Sequence, residues 1–275
     1  MSPISSVGRH PIVGLAILFV VTGVLASVAS AGTVIEMRTV YLVENQPDED
    51  ATIFLDNNRM RLEAVEGGRD VVLIVKRNDA GDPVCWVIDT AAKTYREITK
   101  ETAKELKSQI DRAKKTAEEQ MERMPPGQRE RVKKMMETQL SNIGKRFDVQ
   151  FKEIATGVKV NEWTCTQLES YVDGAKYEDI WAADWKQIGL EQSDVRVFGD
   201  MGSLFDGVSP QTNAFFQMGK SKNEGGYEGF PVLVVEYKDG KEYEKSEVRS
   251  VRNEKLKGGL FELPEGLTKK SMLER

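Results

Sequence analysis

The chain has 275 residues and a formal charge of −5, with 39 Lys and Arg against 44 Asp and Glu. This mildly acidic, mixed-charge composition argues against nucleic-acid binding, which needs clustered cations facing phosphate, and against electrostatic docking on anionic lipid. One histidine, His10, and two isolated cysteines, Cys85 and Cys165, leave too few ligands for a zinc, copper or non-haem iron centre.

Residues 1–31 read as a secretory signal. Arg9 marks a short basic start, an apolar run extends from Ile12 to Val28, and Ala29-Ser30-Ala31 offers small residues before Gly32. The cut is placed after Ala31. The run is interrupted by Gly14, Thr22 and Gly23 and falls short of the ~20 apolar residues that span a bilayer. Cleavage removes Arg9 and no acid, so the charge goes from −5 to −6, and it also removes His10. The expected product is an exported protein, periplasmic or extracellular, with no imidazole and no membrane span.

From Thr33 onward the pattern is strand after strand. Thr33–Val43 is followed by Thr52–Asp56 and Met60–Val65, which flank Asn57-Asn58, a pair suited to a tight hairpin. Val71–Arg77, Val84–Asp89 and Thr94–Ile98 follow, separated by turn-forming clusters. Strands at this spacing indicate an antiparallel meander rather than βαβ units. Lys100–Arg123 then changes register: it has no Gly or Pro, and Leu106, Ile110, Ala113, Ala117, Met121 and Met124 recur three or four apart. Pro125-Pro126-Gly127 stops this helix and Gln128–Ile143 resumes it, giving an αα-hairpin inserted at about 100–144. Strands return at Phe147–Ile154, Val158–Val172 and Lys176–Ala182. Short helices are expected near Gln192–Leu204 and Gln211–Lys220, then a hairpin of Phe230–Lys238 and Glu242–Asn253 around Asp239-Gly240, and a last edge at Leu260–Leu263.

Candidate chemistry is sparse. There is no G-x-S-x-G elbow, and a Ser or Cys nucleophile has no histidine to activate it. The acidic run Asp48-Glu49-Asp50 lacks the spacing of a calcium loop and reads as a solvated turn. No catalytic residue, metal or cofactor is assigned, although paired carboxylates remain available among so many acids. A Cys85–Cys165 bridge would close a loop of 80 residues, worth roughly 4 kcal/mol on the chain-entropy model. The alternative is two buried thiols acting as small hydrophobes, and the sequence leaves both open. Met121, Met124, Met135 and Met136 gather flexible thioethers at the tip of the hairpin, while Trp86 and Trp163 lie on strands. These six residues are the ligand-contact candidates, the methionines as a movable apolar tip and the tryptophans as cavity wall.

Several segments taken in order carry a resemblance. Asn58-Arg59-Met60-Arg61-Leu62-Glu63, Trp86-Val87-Ile88-Asp89 and Thr94-Tyr95-Arg96-Glu97 are followed by Asn161–Tyr171 with Cys165, Tyr177–Ala182, Gly229-Phe230-Pro231-Val232 and Leu260-Phe261-Glu262-Leu263-Pro264-Glu265-Gly266. Together with the Met-rich insertion, they resemble a family of exported bacterial proteins that is a domain of unknown function. That family is related in fold to the periplasmic lipoprotein carrier and its outer-membrane receptor, the LolA/LolB type. The resemblance implies a mainly β (α+β) fold: one domain over residues 32–275, a curved antiparallel half-barrel with the inserted αα-hairpin and short lid helices. It also implies an apolar cavity for acyl chains. The expected function is therefore non-catalytic binding of a lipid or acyl chain in the envelope. The rival readings are a protein–protein module docking an envelope partner through the charged hairpin, and a hydrolase using carboxylates alone.

Overall fold

The computed structural model describes residues 31–43, 46–66, 68–125, 127–131, 147–191, 193–205, 213–220 and 225–272. Residues 1–30 of the expected signal and residues 132–146 of the second helical arm, with Met135 and Met136, lie outside them. Six strands come first: β1 (Ala31–Tyr41), β2 (Glu49–Asp56), β3 (Arg59–Glu66), β4 (Arg69–Arg77), β5 (Pro83–Asp89) and β6 (Thr94–Ile98). The Asn57-Asn58 turn has φ of 48° and 61°, the paired left-handed geometry of a two-residue hairpin whose twist matches its strands.

Helix α1 (Lys100–Glu122) follows at once. The Thr99 side chain accepts from the Thr102 amide at 3.3 Å, and the Thr102 hydroxyl accepts from the Thr99 amide at 2.8 Å, a reciprocal cap. At the far end Arg129 donates to the carbonyls of Met121, Glu122 and Met124. A cation thus satisfies the last acceptors at the negative end of the helix. Residues 127–131 are helical again, the start of the expected second arm.

The second half contributes β7 (Val149–Val160), β8 (Trp163–Val172), β9 (Ala175–Ala183), a 3-10 turn (Trp185–Ile188), α2 (Arg196–Phe205), α3 (Ala214–Gln217), β10 (Phe230–Lys238) and β11 (Lys241–Lys255). Two expectations are corrected here. Val158–Val172 is not one strand: the chain reverses at Asn161, whose φ is 48°, and β7 runs on through Gly157 by bulging between Glu153 and Val158. The expected last edge at Leu260–Leu263 is instead a 3-10 turn, Gly258–Phe261, and a two-residue strand β12 (Thr268–Lys269) lies beyond Pro264.

All twelve strands form one open sheet in the order β12-β6-β5-β4-β3-β2-β1-β11-β10-β9-β8-β7. Apart from β12, which lies parallel to β6, this is an up-and-down antiparallel meander. It is opened between β6 and β7, where the helical insertion leaves and re-enters, and joined by the β1–β11 seam, Ala31 opposite Lys255.

The sheet curls. In a flat sheet β5 and β10 would stand about 29 Å apart, at ~4.8 Å per strand. Yet α2, a ten-residue helix about 15 Å long and 10–12 Å across, packs on β5. Its Phe198 ring also lies 6.4 Å from that of Phe230 on β10. Only a sheet wrapped around the helix permits both contacts. The main core lies inside this curl, where Ile35, Ile53, Leu55, Met60, Val75, Ile180, Val232 and Val248 share one apolar cluster with the buried side of α2. The open, curled sheet is compatible with a half-barrel. Among the described residues, no helix is long and apolar enough to cross a membrane.

The convex side of β2–β6 is apolar too, and the C-terminal segment covers it. Leaving β11, the chain lays Leu256, Leu260, Phe261, Leu263 and Leu267 over Val72, Ile74 and Ile88. Phe261 is fully buried, and the Arg59 guanidinium sits 4.7 Å above its ring. Arg61 donates to the Leu260 carbonyl, Lys76 pairs with Glu262, and Lys269 pairs with Glu97. This strap ends by adding β12 to the otherwise bare edge of β6, protecting that edge from further pairing.

Candidate functional site

The concave face divides into an apolar floor and a polar belt. Alternation along each strand sends every second side chain inward, and direct register sets those residues in rows. One row crosses five strands: Ser170 opposite Glu178, Glu178 opposite Glu236, Glu236 opposite Glu244 and Glu244 opposite Tyr41. The adjoining rows toward the helices are apolar, with Ile180 opposite Val234 and then Val232 and Phe230.

Glu178 is completely buried. It accepts from the Ser170 hydroxyl at 3.2 Å and from the Ala214 amide at 3.3 Å, so it ties the start of α3 to the sheet. Burial pushes its carboxyl up to about 8, with the charges of Glu236 and Glu244 adding to the rise and the two hydrogen bonds opposing it. Glu244 is pushed to about 7 by burial together with Glu236 and Glu49. Glu236 is raised by burial against a Tyr177 hydrogen bond and Lys238. Like charges in adjacent cross-strand positions repel, and Glu178 and Glu244 respond by retaining protons near neutrality. The belt can hold and exchange protons, but Glu178 is sealed beneath α3. Among the described residues, no group of three or more His, Cys, Asp or Glu is placed to hold a metal.

Over the apolar floor lie α2 and α3. Val197, Phe198, Met201 and Leu204 of α2 are buried, and Phe198, Phe215 and Phe230 pack ring to ring at 5.8–6.4 Å. Tyr227 is buried against Phe151 and donates to the Ala214 carbonyl at 3.1 Å. At the rim, Arg77 at the end of β4 grips Asp200 of α2 with two bonds, 2.8 and 2.7 Å. Beside that pair a cleft of about 460 Å³ opens between α2 and residues 218–220.

The expected contact residues do not converge. Trp163 is buried in the concave core, whereas Trp86 points to the convex side, donates to Glu97 at 3.0 Å and carries Lys76 over its ring at 4.9 Å. The reason is register: Cys85 and Val87 take the inward positions of β5, leaving Trp86 and Ile88 outward. The two tryptophans therefore do not form one cavity wall. Met121 on α1 and Met124 just past its end are half-buried, but Ala103 is the residue of α1 that packs on the main core. Met121 lies about 27 Å further along the axis at helical rise. Met135 and Met136 lie outside the described residues.

Cys85 and Cys165 are each a free, buried thiol, on β5 and β8, which are not neighbours in the sheet. Burial pushes the Cys85 thiol up to about 12 and Cys165 to about 11, so almost no thiolate exists near neutrality. We expect no reaction of the folded protein with a disulfide reagent such as DTNB at pH 8, and reaction of both thiols once guanidinium unfolds it. Thiols that stay unreactive in denaturant would instead show a bridge.

The Glu178 row and the Arg77–Asp200 pair are absent from the sequence reading. Each depends on register or contact between distant segments, and no local motif marks either.

No protein-family model and no curated protein matches the chain. Among solved structures it is similar to PNGF-II, at 10% identity over 88% of this chain and 31% of that one, with a TM-score of 0.38. The chain thus spans less than a third of PNGF-II, and so loose a likeness supports no statement about function.

Proposed function

We propose that this is an exported, non-catalytic binding protein that holds a lipid or acyl chain inside a LolA-type half-barrel, with α2 and α3 as a plug that the ligand displaces. The observation that carries the reading is the covering of the concave apolar floor. It is closed by two short helices, ten and four residues long, rather than by a second sheet. Withdrawing α2 exposes four large apolar side chains, at about 1.5–3 kcal/mol each, so opening costs on the order of 6–12 kcal/mol. An acyl chain of about 15 methylenes returns about 0.8 kcal/mol for each, roughly 12 kcal/mol in all. The two sums are close, as reversible loading requires.

Native mass spectrometry of the gently purified mature protein tests this directly. Bound lipid supports the reading; a bare mass together with failure to bind an apolar fluorescent probe overturns it. The rim pair gives a finer test. Arg77→Ala removes a bidentate but half-exposed ion pair worth about 0.5–1 kcal/mol, so apolar-probe affinity should rise about two- to fivefold.

Helix α1 favours a second reading. No residue of its 23 is buried, which suits an arm that docks a partner. If deleting residues 100–144 abolishes a crosslinked envelope partner and leaves lipid capture intact, the hairpin is that arm.

A further inference from the structure

We infer that Glu178 is a proton-operated latch on the plug: protonated, it holds α3 against the sheet, and ionised, it frees α3 and opens the way into the curl. The consequence for ligand entry rests on the function proposed above; the latch itself does not.

The geometry sets one carboxyl between a fixed part and a movable part. Glu178 lies within β9, opposite Ser170 of β8 on one side and Glu236 of β10 on the other, so two ladders hold its backbone. Its Oε1 accepts from the amide of Ala214, the first residue of α3, at 3.3 Å. Tyr227 is a second tether, through its hydroxyl on the Ala214 carbonyl. With four residues, α3 is too short to persist without such supports. When it lifts, Phe215 leaves the rings of Phe198 on α2 and Phe230 on β10. The latch therefore acts on both plug helices.

The surroundings decide which protonation state keeps the latch shut. Both hydrogen bonds to Glu178 come from neutral donors, the Ser170 hydroxyl and the Ala214 amide. Glu236 acts on it from β10, Glu244 from β11, and Tyr227 from the segment before β10. Lys238 acts in turn on Glu236, and Glu49 on Glu244. Ionising Glu178 thus seals a negative charge beside two further acids, and α3 stands between that charge and water. Burial, with those acids, holds the closed carboxyl at about 8, and contact with water returns it toward 4.5. Between these values the closed state binds more protons than the open one. Opening therefore becomes easier as pH rises, by at most about tenfold per unit for one proton, and levels off above about pH 8.

Hydrogen exchange of the purified mature protein, read by mass spectrometry at pH 6, 7 and 8, tests the latch without a ligand. Wild type is compared with Glu178→Gln at each pH, so the intrinsic effect of pH on exchange cancels. Glutamine keeps an acceptor for the Ala214 amide and cannot ionise. For residues 214–218, the ratio of wild-type to variant exchange should rise about tenfold or more from pH 6 to pH 8. These amides should also exchange ahead of β2–β4, which wait for the whole fold to open. Nile red, uncharged over this range, reads entry. Its affinity for the wild type should rise about tenfold or more over the same interval and stay flat in the variant. If the exchange ratio rises and Nile red binds at no pH, the latch stands and the lipid reading fails. If Nile red binds equally at every pH and the ratio is constant, the latch is overturned and the lipid reading stands. Exchange of residues 214–218 in step with β2–β4, or an equal pH slope in the variant, also overturns the latch. A constant ratio with no binding overturns both.

Discussion

Glu178→Gln is expected to stabilise the protein at pH 8–9 by on the order of 4 kcal/mol and to change little near pH 5. The folded carboxyl sits at about 8 against an ordinary value of 4.5, and each unit of difference corresponds to about 1.4 kcal/mol. Between those values the folded state binds more protons than the unfolded state, so stability must fall as pH rises. The loss begins above pH 4.5 and levels off above pH 8. Glu244, at about 7, and the raised Glu236 act in the same direction. Below pH 4.5 the sign reverses, because Glu97 is held low by hydrogen bonds from Lys269 and Trp86 and loses its stabilisation on protonation. Wild-type stability should therefore peak near pH 5. Urea unfolding at intervals from pH 4 to 9 reads this out. A flat wild-type profile from pH 5 to 8, or an equal slope in the variant, would refute the role given to Glu178.

Phe261→Ala should cost about 3–5 kcal/mol, the usual range for emptying a buried aromatic site. The ring is fully buried against Val72, Ile74 and Ile88. Its removal also deprives Arg59 of the face it covers. The loss should appear as a lower urea midpoint with an unchanged slope, since the fold itself is retained. Leu263→Ala, at a partly buried position of the same strap, should cost less. A Phe261→Ala loss under about 1 kcal/mol would mean that the strap merely rests on the convex face. Apolar-probe binding in the curl should survive the substitution, because the strap and the concave floor lie on opposite sides of the sheet.

Much of this architecture is legible locally. Asn57-Asn58 and Asp239-Gly240 declare their hairpins because both residues of each adopt left-handed backbone, and Thr94–Ile98 has the expected boundaries. The α1 cap follows from Thr99 and Thr102, and its end from Pro125. Failures arise where local signals conflict. The expected strand boundary between Ile154 and Val158 is absorbed as a bulge at Gly157, while β-branched residues on both sides of Asn161 mask the reversal there. Face assignment failed for a different reason. Trp86 and Cys85 are adjacent, either could have pointed inward, and only pairing with β4 and β6 decides between them. The glutamate row was invisible for the same cause: its members lie on β9, β10 and β11, and only the sheet aligns them.

The seam between β1 and β11 fixes when the molecule can be completed. β1 is made first, yet its outer partner ends at Lys255. At about 5–20 residues per second of synthesis, β1 waits roughly 10–40 s with one edge unpaired. The β1–β6 meander and the β7–β9 hairpins can form as they emerge, since each pairing is between chain neighbours. Apart from the two-residue β12–β6 pairing, closing the seam is the pairing of highest sequence separation among the described strands, and non-local pairings are slow. The two halves thus meet last, around α2 and α3, which are synthesised just before β10 and β11. Whatever occupies the curl in the finished protein has its earliest chance to enter during that interval.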